Sequence, residues 1–444
     1  MRVIIVGAGQ VGSSIAETLD GDHNITIIDT DGEHVDSLAN SLDVLAIEGD
    51  GTSLGILREA GIEQADLLIA STDNDETNIV VCGTAKTVSD AFTIARVRYV
   101  DYLETWQSAE GTFGVDFLVS MNHLIAETVV HVVGLPATRD VAVFASGRVL
   151  MAEFRVPTAS PLAGQTVAEA DRFEELTFAA LIREEDLIIP DGKTTIEGDD
   201  RLVVIGSPES VRGFAAALAP EDASENKTVV IIGGGEVAVQ SARLLEERGF
   251  RPRLIEPDKT RAREIAEVLP KTTVMNHDPT DRNFLERERI NEADILFAAL
   301  NSDDRNLLVS LLAKRLGVKR TIAITENGEY SDLFEAVGID VAVNPRDATA
   351  EEIVRFTLEC RATNIAMVAH DRAEVLEIEV DVESTLTERP IRNATADLPV
   401  GVTIGAIDRD GTFITPRGDT VIESGDHVVI FAESANIDTV AEQV

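Results

Sequence analysis

Only two cysteines, Cys82 and Cys360, occur in 444 residues, and they share no motif. They read as small core hydrophobes in a reducing compartment rather than as a redox pair. The seven histidines are scattered, with no HExxH and no Cys/His cluster, so a transition-metal centre is not expected. No apolar run approaches the ~20 residues that a membrane-spanning helix needs. The first residues already make a strand feeding a glycine loop, which leaves no signal peptide. The chain is therefore expected in the cytoplasm, reaching a membrane only by docking on a membrane protein.

Positive charge is also scarce. Lysine and arginine together number 38, only seven of them lysine, against 79 acids, for a net charge of -41. Nucleic acid needs a basic surface, so a nucleic-acid partner is excluded, as is anionic lipid. The acid excess is spread along the chain rather than gathered in a tail. Such a solvated acidic surface suits a high-salt cytoplasm, where screening removes self-repulsion, and implies a halophilic setting.

What the sequence has is a glycine loop used twice. The apolar run Met1–Val6 leads into Gly7, Ala8, Gly9, Gln10, Val11 and Gly12, then a helical stretch over Ser13–Leu19. The apolar run Thr228–Ile232 leads into Gly233, Gly234, Gly235, Glu236, Val237 and Ala238, then a helical stretch over Val239–Arg248. The repeat continues beyond the loops. Asp29 matches Glu256, Asp50 matches Asp278, Ala65–Ala70 matches Ala293–Ala298, and Asn78 matches Asn306. Each large unit alternates apolar strands and helices: Arg2–Val6, Ile25–Ile28, Val44–Ile47, Leu67–Ala70 and Phe92–Val97 in the first. That pattern predicts an α/β fold with two doubly wound, Rossmann-like parallel sheets covered on both faces.

A smaller unit follows each large one. Pro190-Asp191-Gly192-Lys193-Thr194 with Gly198-Asp199 corresponds to Pro416-Arg417-Gly418-Asp419-Thr420 with Gly425-Asp426, turns between short strands. The strands Arg201–Ile205 and His427–Phe431 follow them. The order is large, small, large, small: a duplicated two-domain module rather than a solenoid. Asn122–Gly134 and Arg346–Leu358 read as connecting helices, and Ala219–Asn226 as the linker between modules.

Glycines at the first, third and sixth loop positions permit a tight turn, close approach of phosphate and close helix packing. Backbone N–H groups and the positive helix end then hold the phosphates. Asp29 closes the second strand, where a carboxylate accepts the ribose hydroxyls and repels a 2′-phosphate, favouring NAD- or adenosine-type ligands. Thr72 and Asp73 lie beyond the fourth strand and Asp50 beyond the third, positions open to ligand contact or to turn and cap roles. Arg96 and Arg98 are candidate phosphate ligands. Arg98 is preferred, because an arginine inside a parallel sheet is costly unless paired. In the second half Ala238 replaces the third glycine, Glu256 keeps the acid, and Ile324 and Glu326 stand where the arginines were.

The glycine fingerprint, the ribose acid, Gly49-Asp50-Gly51-Thr52, the run from Ala65 to Asn78 and Ile94-Ala95-Arg96-Val97-Arg98 occur in order. With them the chain resembles the TrkA family, cytosolic regulatory subunits of Trk-type potassium uptake systems. The resemblance implies RCK (regulator of potassium conductance) N-terminal domains over 1–120 and 227–345. The small α+β RCK C-terminal domains would span 137–221 and 363–444. It further implies a homo-oligomeric ring, peripheral to the inner face of the cell membrane through a potassium channel or transporter. NAD(H), with ATP and ADP as alternatives, would bind the first site through Gly7–Gly12, Asp29, Thr72, Asp73 and Arg98. Gly233–Ala238 and Glu256 would hold any second ligand. No catalytic residue and no metal ligand is assigned. A rival reading, an NAD-dependent oxidoreductase, would need a proton-transferring residue near the nicotinamide, and the small units offer no convincing histidine or lysine. A second rival, a regulatory module of another cation transporter, shares the same domains.

Overall fold

The computed structural model describes all residues except 22, 109–111, 185, 221–226, 329, 359–363, 369–372, 382, 383, 396, 397, 400, 438 and 441–444. Part of the linker Ala219–Asn226 and all of Cys360 fall outside the described residues. The first large unit runs β1 (Arg2–Val6), α1 (Gln10–Leu19), β2 (Asn24–Asp29), α2 (Gly32–Ser41), β3 (Leu45–Glu48) and α3 (Leu54–Glu59). It continues with β4 (Leu67–Ala70), α4 (Asp75–Lys86), β5 (Phe92–Val97), α5 (Val100–Ser108), β6 (Phe117–Ser120) and α6 (Met121–Gly134). The sheet order is β3-β2-β1-β4-β5-β6, parallel throughout. Four of the five β1 residues are buried, as a central strand covered on both faces requires. The sixth strand is an addition to the sequence reading, four residues long and set directly before α6.

The first small unit comprises β7 (Thr138–Phe144), β8 (Val149–Arg155), α7 (Val167–Ala170), β9 (Leu176–Arg183), β10 (Asp186–Ile188), β11 (Arg201–Gly206) and α8 (Pro208–Leu218). The second large unit repeats the first: β12 (Val229–Ile232), α9 (Glu236–Glu247), β13 (Arg253–Glu256), α10 (Lys259–Val268), β14 (Thr273–Asn276), α11 (Arg282–Arg287), β15 (Ile295–Ala298), α12 (Asp303–Leu316), β16 (Arg320–Ile324), α13 (Tyr330–Ala336), β17 (Val341–Val343) and α14 (Pro345–Leu358). Its sheet order, β14-β13-β12-β15-β16-β17, is the same. The last unit holds β18 (Asn364–Val368), β19 (Ala373–Glu379), α15 (Ile391–Ala394), β20 (Val402–Arg409), β21 (Thr412–Ile414) and β22 (His427–Glu433).

Chain order does not set the grouping in space. The two large units form one compact body, Met1–Val129 with Lys227–Thr357, and the two small ones form another, Val130–Asn226 with Leu358–Val444. In the second body two five-stranded antiparallel sheets share a core. Met151, Ala180 and Val203 of one half pack in the same cluster as Val375, Ala406 and Phe431 of the other. Arg148 pairs with Asp408 at 2.6 Å across that junction, and the Ala145 amide donates to Glu377 Oε2 at 2.9 Å. The structural counterpart of Asp426 is Asp200, one residue beyond the Asp199 read from the sequence. Each is buried and clamped by an arginine two strands away in sequence, Asp200 by Arg183 and Asp426 by Arg409. Asp199 instead occupies the left-handed position (φ 70°) that Gly425 takes in the second half.

Candidate functional site

The first glycine loop lies at the carboxyl ends of the parallel strands, where a doubly wound sheet opens its crevice. A cavity of about 1350 Å³ opens there, lined by Gly7, Ala8, Gly9, Gln10 and Val11, and by Asp29, Asp50, Thr72, Asp73 and Arg96. Gly7 has φ 108°, and a Cβ on it would come within 2.8 Å of the Thr72 amide. A Cβ on Gly12 would lie 1.8 Å from the Gly7 carbonyl oxygen, so only glycine lets α1 start so close to the loop. The N-terminus of α1 carries no side-chain cap and no acid in its first turn, and its first helical bond is Ser13 N to Gly9 O. Its leading amides are thus free of helical partners and face a crevice, an arrangement suited to anions.

Asp29 sits at the end of β2. Its Oδ2 accepts from the Ala8 amide at 2.5 Å and its Oδ1 from the Asp31 amide at 2.9 Å. That fixes the carboxylate beside the loop, where ribose hydroxyls would lie. Asp50 lines the crevice, but its Oδ1 is engaged by the Thr52 amide (2.9 Å) and hydroxyl (2.7 Å), which hold the carboxyl below its usual range. Asp278 makes the same bonds with Thr280. This is a turn repeated in both halves. Thr72 donates from its amide (2.9 Å) and its hydroxyl (2.6 Å) to Asn78 Oδ1. Asn78, fully buried, also donates to the carbonyls of Thr72 and Arg96. Asn306 makes the equivalent bonds to Leu300 and Ile324. The Asn78/Asn306 match is a staple between the ends of two strands, and it sets the wall of the crevice.

The structure places the two arginines differently from the sequence reading, with Arg96 and not Arg98 in the crevice lining. Arg96, 8% exposed at its side chain, lines the crevice, donates to the Ser71 carbonyl at 3.1 Å and stands 3.5 Å from Asp73. Burial lowers its pKa, opposed by Asp73. Arg98 lies outside the crevice lining, half-exposed, turned to the Asp73 carbonyl and to Asp75 at 3.8 Å. The cost of an arginine in a parallel sheet is met in part at Arg96 by a strand-end carbonyl and a carboxylate, which the sequence pattern alone did not pair, while its buried Nε has no hydrogen-bond partner among the described residues. Not assigned to this crevice by the sequence reading were Glu326, Asn327, Gly328, Asn344 and Arg346, which join the lining from the second half. Sequence separation hid them, because only the pairing of the two large units brings them there.

The second loop departs from the first. Gly233 keeps its left-handed φ of 106° and Glu256 keeps its place, buried and accepting from the Asp258 amide at 2.7 Å. Ala238 sits fully buried where Gly12 admits no Cβ, so the two loops cannot superpose there. Glu236 stands in the first turn of α9, Val237 follows it half-buried, and Arg261 reaches across to Glu236 at 3.0 Å while donating to the Gly234 carbonyl. An anion already faces the positive end of that helix. Among the described residues no group of three His, Cys, Asp or Glu is placed to hold a metal, and no helix is long and apolar enough to cross a membrane.

Residues 3–120 and 229–345 match the TrkA-N domain, and residues 151–219 and 375–444 match the TrkA-C domain. The chain is 36% identical over 440 residues to Trk system potassium uptake protein TrkA homolog 1 of Methanosarcina mazei, covering 97% of each. It is 33% identical over 443 residues to Trk system potassium uptake protein TrkA of Halomonas elongata, covering 97% of this chain and 95% of that one. Among solved structures, the GsuK channel bound to NAD aligns with a TM-score of 0.65 at 18% identity, over 100% of this chain and 78% of the channel chain. That likeness is one of fold.

Proposed function

The chain belongs to the TrkA family, and from that premise we propose that it is the nucleotide-sensing regulatory subunit of a Trk potassium uptake system. It gates an integral membrane potassium channel or transporter allosterically and carries out no chemical turnover. Its place is the inner face of the membrane, held there by that partner and assembled as a homo-oligomeric ring. Supporting this reading are the names of its relatives, potassium uptake proteins matched over nearly their whole length.

The observation that carries the nucleotide assignment is the first crevice. Its glycine loop, uncapped helix end and ribose-side acid fit an adenine nucleotide, NAD(H), ADP or ATP. Gly7–Gly12 would cradle the phosphates with backbone amides. Asp29 would accept the ribose hydroxyls, and Arg96 would add charge at the wall. Thr72 and Asp73 shape the rim, with Asp50 holding the neighbouring turn. When bound, the nucleotide supplies charge and shape rather than chemistry, and it shifts the conformational equilibrium only by its differential affinity for the two states. The helices α6 and α14 continue the chain from each six-stranded sheet to the following small domain, the covalent routes for such a change.

The test is potassium flux into liposomes holding the partner channel, with this chain and each nucleotide added outside. Flux should respond to nucleotide with the native chain and lose the response with Asp29→Ala. Flux indifferent to the chain and to every nucleotide overturns the proposal, and steady hydride turnover with a common substrate would replace it with the oxidoreductase reading.

A further inference from the structure

Part of the wall of the first crevice belongs to the second half of the chain. Glu326, Asn327, Gly328, Asn344 and Arg346 line the same cavity as the first glycine loop, within one compact body. Arg346 is the second residue of α14, as Asn122 is the second residue of α6. The two make the same bond. Asn122 donates to the Arg98 carbonyl at 2.8 Å, and the Arg346 guanidinium donates to the carbonyl of Glu326, the residue matching Arg98. The second half has therefore lost both strand-end arginines and gained one at the start of its connecting helix. What was a neutral amide in the first half is a cation in the second.

The charge balance of the crevice gives that cation a role. Glu17, Asp29, Asp31, Asp50 and Asp73 all line it. Among the described lining residues, Arg96 and Arg346 are the only arginines or lysines. Arg96 gives Nη1 to the Ser71 carbonyl and stands 3.5 Å from Asp73, so part of its charge is already matched. A phosphate chain entering this acidic crevice needs a further positive group. Arg346, 31% exposed at its side chain, gives one nitrogen to the Glu326 carbonyl and pairs loosely with the Glu326 carboxylate, Nη2 to Oε2 at 4.0 Å.

We infer that Arg346 reads the terminal phosphate of a nucleoside triphosphate bound in the first crevice, and that Glu326 competes with that phosphate for it. A dinucleotide carries its phosphates as internal diesters, which the leading amides of α1 already suit. A terminal phosphate adds charge and acceptor oxygens that a planar guanidinium fork matches bidentately. The site is then a composite of both halves, and a triphosphate ties the start of α14 to the first sheet where a dinucleotide does not. At the matching position of the first half Asn122 brings no charge, and Arg261 lies over the second loop. This inference rests on the nucleotide-sensing reading above.

The test is titration calorimetry of the full-length chain with ATP, ADP and NADH. Four forms are compared: native, Arg346→Ala, Glu326→Gln and Asp29→Ala. Arg346→Ala should weaken ATP by ~10-fold or more, the loss of one charge-assisted phosphate contact, and leave NADH within about twofold. Glu326→Gln should tighten ATP by roughly two- to threefold, the opposite sign, because it frees the arginine. Arg346→Lys should recover part of the ATP affinity, and unchanged thermal melting of Arg346→Ala would show the fold intact. Arg346→Ala binding ATP like the native chain, or losing ATP and NADH alike, overturns the inference. In those cases nucleotide binding abolished by Asp29→Ala leaves the parent reading standing. A native chain that binds none of the three sinks both.

Discussion

Arg261 donates from Nε to the carbonyl of Gly234 at 2.9 Å, placing a guanidinium across the second glycine loop. Its Nη2 engages Glu236, and its Nη1 lies 3.3 Å from Glu264, so its charge is already matched within the second half. A phosphate would have to displace Glu236 from the front of α9 and pull Arg261 from its partners.

The expected outcome is one nucleotide binding event per native chain, abolished by Asp29→Ala and unaffected by Glu256→Ala. Replacing both Arg261 and Glu236 by alanine should uncover a second, weaker event that Glu256→Ala then removes. Calorimetric stoichiometry measures this. Two events in the native chain, each lost with one acid, would show that the arginine is no barrier.

The contrast between the halves was partly legible in sequence. Fold class, the two doubly wound parallel sheets and the duplicated turns followed from strand–helix alternation and glycine spacing, because those signals are local. The loss of the strand-end arginines at Ile324 and Glu326 was also visible by register. What could not be read was the pairing of like with like. Large units group with large and small with small, so Arg346 enters a crevice built from residues more than two hundred positions away. The placement of Arg96 in the crevice lining, with Arg98 outside it, was hidden for a similar reason. The cost of burying Arg96 is offset by the Ser71 carbonyl, a contact made between neighbouring strands and invisible along the chain. β6 escaped notice because four residues before a helix carry little periodicity.

The net charge of -41 makes stability depend on salt. Like charges repel over about 10 Å at 0.1 M salt and about 3 Å at 1 M, so concentrated salt removes most of the penalty on the compact state. The thermal midpoint followed by circular dichroism should climb steadily from dilute buffer to 2 M potassium chloride, with partial unfolding at the dilute end. A midpoint that stays level across that range would mean that the acidic surface is not tuned to a high-salt cytoplasm.

Cys82 provides a pH signature of the first sheet. Its side chain is fully buried, and burial, aided by Asp116, pushes the thiol well above its usual range. A thiol that stays protonated when folded but ionises when unfolded stabilises the fold below about pH 8.5, and that contribution fades as the pH rises past it. The slope should be about 1.4 kcal/mol per pH unit in the alkaline limb of a urea-unfolding series. Cys82→Ala should flatten it. In a Cys360→Ser chain, iodoacetamide at pH 7.5 should leave Cys82 unmodified until denaturant is added. Prompt labelling of the folded chain would show that the thiol is accessible.

The Asn78 and Asn306 staples separate architecture from ligand binding. Both are fully buried, and each joins the turn after one strand to a carbonyl at the end of the next, that of Arg96 or of Ile324. Removing either side chain strands buried amides and carbonyls, at about 1–3 kcal/mol for each group left unpaired. Asn78→Ala and Asn306→Ala should therefore destabilise by similar amounts in urea. Only Asn78 holds residues of the first crevice, namely Thr72 through three bonds and Arg96 through its carbonyl. Asn78→Ala should thus weaken nucleotide binding by ~10-fold or more, since small misplacements of binding groups are costly. Asn306→Ala should leave first-site affinity within about twofold, the scale of a ~0.4 kcal/mol change. Equal losses of affinity in both variants would mean that the crevice senses the stability of the whole body rather than the placement of Thr72 and Arg96.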